Sequence, residues 1–105
     1  MQPVVCAAIE GRQLLRFAYH GAERIVEPYA HGYTSAGLET LSGFQIDGQS
    51  VHGQVVGWKM FHLADMVNVR PVGLFPEPRP GYDPTQLRIS HICCLLTRVP
   101  QYITK

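Results

Sequence analysis

Between Glu23 and Phe44 the chain reads ERIVEPYAHGYTSAGLETLSGF, and the alternation in that stretch leaves little choice of fold. Along an extended backbone from Arg24 to Thr34, Ile25, Glu27, Tyr29, His31 and Tyr33 share one face, and Arg24, Val26, Ala30 and Gly32 share the other. That is strand period. Pro28 has no N–H to give to a ladder, so the strand either lies at a sheet edge or bends there. A bend would let Ile25 and Val26 serve different surfaces of a curved sheet. Thr34-Ser35-Ala36-Gly37 has turn composition. The next strand runs from Thr40 to Ile46, and Leu41 and Phe44 fall out of phase across Gly43, which marks Gly43 as a bulge.

The flanking segments read as support. Pro3 to Glu10 predicts a short helix: proline suits a first turn, Val5 and Ile9 fall four apart, as do Val4 and Ala8, and Gly11 is placed to end it. Two turns are not stable alone, so the apolar side must pack on the rest of the domain. Leu15, Phe17 and Tyr19 alternate with Arg16 and Ala18 as a strand with one buried face, and His20-Gly21-Ala22 turns out of it. Asp47-Gly48 opens a polar, glycine-punctuated loop of about ten residues, long enough to be functional or mobile. Trp58 to Leu63 is a strand with Phe61 and Leu63 on one side and Trp58, Met60 and His62 on the other. Met66 to Val69 continues with Val67 and Val69 inward, until Pro71 stops it. Phe75 to Pro84 holds four prolines and reads as an extended strap with Phe75 and Tyr82 tucked in. In Ile89 to Leu96 the alternation of Ile92, Cys94 and Leu96 favours a strand, although a helix of similar length can also be drawn. The sum is a mainly β fold, a small strongly bent barrel or half-open sheet. Residues 1–84 form the domain with its N-terminal helix, and residues 85–105 form an extended C-terminal segment packing on the barrel or on a partner.

Composition narrows the function. A chain of 105 residues is one domain, and 46% hydrophobic content is too high for disorder. A net charge of +1 argues against a whole-domain electrostatic grip on nucleic acid, while leaving room for a local basic cluster. Three cysteines, two of them adjacent, make a poor disulfide framework; the expectation is reduced thiols in a cytoplasmic protein, with no signal peptide and no membrane span. Catalysis has little support. Ser42-Gly43 lacks the Gly-x-Ser-x-Gly elbow, there is no phosphate-binding loop, and the five histidines show no metal-ligand pair on one helix. Cys93 and Cys94 point to opposite sides of a strand and cannot readily chelate one ion together. Neither a metal nor a cofactor is expected.

With Arg24, Glu27-Pro28, Leu41, Phe44 and Trp58-Lys59-x-Phe61 in order, the chain resembles a WYL domain, the Sm/SH3-like β-barrel of bacterial regulators. The resemblance covers roughly residues 5–84. It is carried by the helix leading into LLRFAY, by ERIVEP, by the L-S-G-F strand, by WKMFHLADM and by the Pro78–Tyr82 strap, PRPGY. Two departures stand out. The family's naming triplet is Glu39-Thr40-Leu41 here, and Asp65 stands where relatives carry an arginine. The resemblance implies a regulatory module that binds a small anionic, nucleotide-like ligand or single-stranded nucleic acid.

Arg24 leads the candidates for that binding, because a planar five-donor guanidinium suits a phosphate or carboxylate; the alternative is a structural pair with Glu27 or Asp65. Lys59 and His62 flank Phe61 and would extend a cationic patch, or be plain surface. Tyr29, His31 and Tyr33 have the spacing to stack a base, or belong to the core. Gln45 and Ser50 border the long loop and offer neutral donors, or close it by hydrogen bonds. These readings converge on a pocket walled by Arg24, Tyr33 and Lys59. A non-catalytic interaction module that self-associates or meets a partner protein through residues 89–96 is the other possibility.

Overall fold

The computed structural model describes residues 3–48, 56–84 and 87–96. One helix, α1 (Pro3–Gly11), precedes six strands: β1 (Gln13–Tyr19), β2 (Ala22–Tyr33), β3 (Glu39–Gly48), β4 (Gly57–His62), β5 (Met66–Leu74) and β6 (His91–Leu95). The chain is mainly β. All strand pairings are antiparallel, in the order β4-β3-β2-β1-β5, with β6 joined to β2.

The connection from β4 to β5 dictates the shape. Laid flat, the four steps between those end strands would span about 19 Å. The link is one 3-10 turn, Leu63–Asp65, which rises only about 2 Å per residue. The sheet must therefore curl until its two ends approach. Contacts across the curl agree: the Tyr19 hydroxyl of β1 accepts the His62 N–H of β4 at 3.0 Å, and the Phe61 ring lies 5.1 Å from those of Phe17 and Tyr19. β4 and β5 do not pair among the described residues, so the sheet is curled but open.

β2 is the central strand. β3 runs along one edge of it, while the other edge serves β1 at Ala22–Val26 and β6 at Ala30–Tyr33. Pro28 falls in the gap between those two partners, where a missing N–H costs no ladder bond. The expected bend is present, and the edge position is not. The bulge sits across from Gly43 rather than on it: Pro28 pairs Gly43 and Ala30 pairs Ser42, so Tyr29 is the extra residue. Gly43 is glycine because a Cβ there would lie 2.5 Å from Val26 Cγ1 and 2.7 Å from the Glu27 carbonyl oxygen.

Register sorts the side chains into two layers. Leu15, Phe17, Val26, Leu41 and Phe61 fall on the inner face and are buried with Val5, Ala8 and Ile9 of α1. Glu27, Phe44 and Trp58 are cross-strand neighbours on the other face. Tyr29 stays on that face, against Trp58, Phe75 and Tyr82, and the bulge resets the alternation beyond it, so that His31 turns inward with Leu41.

Three expectations are corrected. β5 continues through Pro71, which an edge strand tolerates. Val67 points outward at 61% exposure, while Met66 is buried; Asn68, at φ 61°, sits in a register shift against β1 that re-aims the strand. The thiols are not all reduced: Cys6 and Cys94 form a disulfide, with Cα atoms 5.6 Å apart, and Cys93 alone is free and exposed. Pairing across 88 positions follows from β6 docking on β2 beside α1, which spacing does not reveal. With that disulfide formed, the cysteines give no ground for a cytoplasmic location. Among the described residues no helix is long and apolar enough to cross a membrane.

Candidate ligand cleft

The outer face of β2, β3 and β4 would be left bare by α1, and the proline-rich strap covers part of it. Arg79 anchors the strap. Its guanidinium donates to both carboxylate oxygens of Glu27, at 2.7 and 3.3 Å, and lies 4.2 Å from the centroid of Phe44. Its backbone N–H donates to the Tyr29 hydroxyl at 2.6 Å, and that hydroxyl donates to Glu27 at 2.8 Å. One carboxylate thus accepts from an arginine and a phenol in a nearly closed site. Burial, first of all, pushes the Tyr29 hydroxyl well above the ordinary tyrosine range. Tyr82 completes the anchor: its ring packs 4.6 Å from Tyr29, and its hydroxyl donates to the Leu96 carbonyl at 2.5 Å. The strap and the end of β6 are therefore tied to each other as well as to the sheet.

Beside this anchor lies a cleft of about 360 Å³ lined by Ser42, Trp58, Lys59, Met60, Gly81, Tyr82, Asp83, Leu87 and Arg88. Its walls are a strand pair on one side and the strap on the other. Trp58 and Tyr82 are nearly parallel, 23° apart with centroids 6.1 Å apart, and Trp58 keeps 43% of its surface open. Two cations, Lys59 and Arg88, stand against one carboxylate, Asp83. An aromatic wall beside a net positive rim, with a hydroxyl at hand, can stack a planar group and pair with an anion.

Of the residues singled out from the sequence, the cleft brings in Lys59 alone. Arg24 is buried at 4% exposure on the inner face, where it donates to the Tyr19 carbonyl at 3.2 Å and to Gln45 Oε1 at 3.4 Å and lies over the Tyr19 ring at 5.4 Å. Its Nε has no hydrogen-bond partner among the described residues. Neither carboxylate considered for it is its partner, since Glu27 pairs with Arg79 and Asp65 with His20. Tyr29, His31 and Gln45 are fully buried, so none of them offers an open face on which a base could stack. Tyr33 lies near His31 and His91, away from the cleft, and His62 is exposed but lines no part of it. Ser50 lies outside the described residues. The expected pocket of Arg24, Tyr33 and Lys59 is not formed, because Arg24 shares the inner face with Phe17 and Val26.

Sequence reasoning passed over Trp58, Tyr82, Arg79 and Arg88 as site residues. The available signal was the exposed side of β4, where Trp58 and Met60 alternate with Phe61's face, together with an arginine between two prolines in the strap. A second constellation was also missed: Cys6, His31 and Cys94 hold three potential metal-ligand atoms within 4.8 Å of one another. Comparison with protein-family models, curated proteins and solved structures yields no match to this chain.

Proposed function

We propose that this protein is a WYL-like ligand-binding or regulatory module that takes a small anionic, nucleotide-like ligand in the cleft between β4 and the strap. The observation that carries the reading is Trp58, half open and nearly parallel to Tyr82, with Lys59 and Arg88 on the same rim. A base or similar planar group would lie on Trp58, and its phosphate or carboxylate would meet the two cations and the Ser42 hydroxyl. A volume of about 360 Å³ is at the lower end of small-ligand sites and fits one nucleotide-sized group rather than a long strand. The five-strand order with a 3-10 turn between its end strands supports the finer description, a partly open barrel of the Sm/SH3 type.

Fluorescence anisotropy with a labelled nucleoside monophosphate and, separately, a labelled short single-stranded oligonucleotide tests this. Saturable binding of the mononucleotide that weakens with salt and is lost in Trp58→Ala supports it. Binding of neither probe at millimolar protein contradicts it, and binding of the oligonucleotide alone moves the ligand class to nucleic acid.

A self-association reading keeps one specific observation: Ile92 is 41% exposed on β6, whose other side already pairs with β2. Light scattering after size exclusion separates the two, since a monomer at high concentration removes the second.

A further inference from the structure

His31 and Cys94 are cross-strand partners on β2 and β6, and α1 delivers Cys6 to the same point. The Cys6 sulfur lies 3.5 Å from His31 Nδ1. On its far side the buried imidazole meets Glu39, with Nε2 2.7 Å from a carboxylate oxygen. A carboxylate only accepts, so the proton between them belongs to Nε2, and Nδ1 turns its lone pair toward the sulfurs. Carboxylates fix metal-binding histidines in this way. The Cys6–His31 spacing agrees as well, and reduction frees the two sulfurs to part. Zinc bonds of about 2.3 Å to sulfur and about 2.0 Å to nitrogen, at a tetrahedral angle, leave sulfur and nitrogen about 3.5 Å apart.

We propose that Cys6, Cys94 and His31 are a binding site for one thiophilic divalent ion of the zinc class, closed by the disulfide and opened by its reduction. A nitrogen and two sulfurs select such an ion over magnesium or calcium. Three protein ligands leave the fourth position for water. Disulfide and metal exclude each other, because a sulfur committed to an S–S bond is not a thiolate. The opening step uses an external dithiol. It gives two electrons and two protons to the Cys6–Cys94 bond, which breaks into two thiols while the dithiol becomes a disulfide. The ion then displaces the two thiol protons. Neither cysteine is fully buried. Either state ties α1 to β6. The site is independent of the cleft.

Cobalt(II) and zinc(II) titrations of the full chain, reduced with a metal-free phosphine, test the site. The reduced protein is expected to take up one Co(II) per chain with sulfur-to-cobalt charge-transfer and tetrahedral d–d bands, and the oxidised protein none. Glu39→Gln is expected to weaken binding about 10- to 100-fold, and Cys93→Ser to leave it unchanged. Should Cys6→Ser or Cys94→Ser fail to fold, alkylation of the reduced wild type decides: one equivalent of zinc protects Cys6 and Cys94 and leaves Cys93 reactive. Equal labelling of all three thiols with zinc present, equal uptake by the oxidised protein, or loss of binding on Cys93→Ser overturns the proposal.

Discussion

Arg24 carries a charge into the inner face of the sheet, and among the described residues no carboxylate pairs with it. Its compensation is a carbonyl, an amide oxygen and the face of Tyr19. Truncation to alanine strips the Tyr19 carbonyl and Gln45 of that donor inside the core, so Arg24→Ala is expected to cost about 2–3 kcal/mol in urea unfolding. Arg24→Met fills the volume without the charge and is expected to cost less. Equal and negligible losses would mean the arginine is not structural. Tyr29 gives a pH signature. Burial favours its neutral form, so its native pKa lies above the unfolded value of about 10. The stability this contributes is full below that unfolded value and is lost as pH rises past it. Tyr29 is therefore expected to withhold its phenolate absorbance until the protein unfolds in alkali. A titration in which all five tyrosines ionise together while the fold is intact would contradict this.

At the scale of elements, β2 organises the fold, and its two edges explain two glycines, Gly43 facing it from β3 and Gly32 facing β6. At Gly32 a Cβ would collide with the His91 carbonyl oxygen of β6. Gly32→Ala is expected to detach β6, seen as lost amide protection at Ile92–Leu95 with β1 and β5 still protected in hydrogen exchange. Uniform protection would show that β6 adapts. Strand identity, the helix and the tucked aromatics of the strap were legible in the sequence, because alternation, a leading proline and proline density each have a direct mechanical meaning. Register was not. A bulge on Tyr29 and another at Asn68 each reversed a face, and nothing in a period of two foretells where an extra residue will fall. Arg24 misled for another reason: alternation groups it with Val26 but does not say that theirs is the inner face, while Trp58, two strands away on β4, lies on the outer one.

At the scale of the molecule, two ties hold the terminal elements on a curled sheet. One is the Glu27–Arg79–Tyr29 cluster beneath the strap, and the other is Cys6–Cys94, whose reduction releases an 88-residue separation and is expected to cost about 2–4 kcal/mol. Differential scanning calorimetry with and without reductant reads that loss directly, and an unchanged Tm would mean the bond is not holding the fold. The disulfide was invisible to spacing because only the tertiary path of β6 brings positions 6 and 94 together. The cleft between strand and strap is lined by Trp58, the single tryptophan, which reports on it without a label. Titrating the protein with a nucleoside monophosphate while following Trp58 fluorescence is expected to give a saturable change that salt weakens and that Arg88→Ala and Lys59→Ala reduce about tenfold or more. A Trp58 signal that stays flat to millimolar nucleotide, or that changes equally in all three proteins, would contradict a ligand site there.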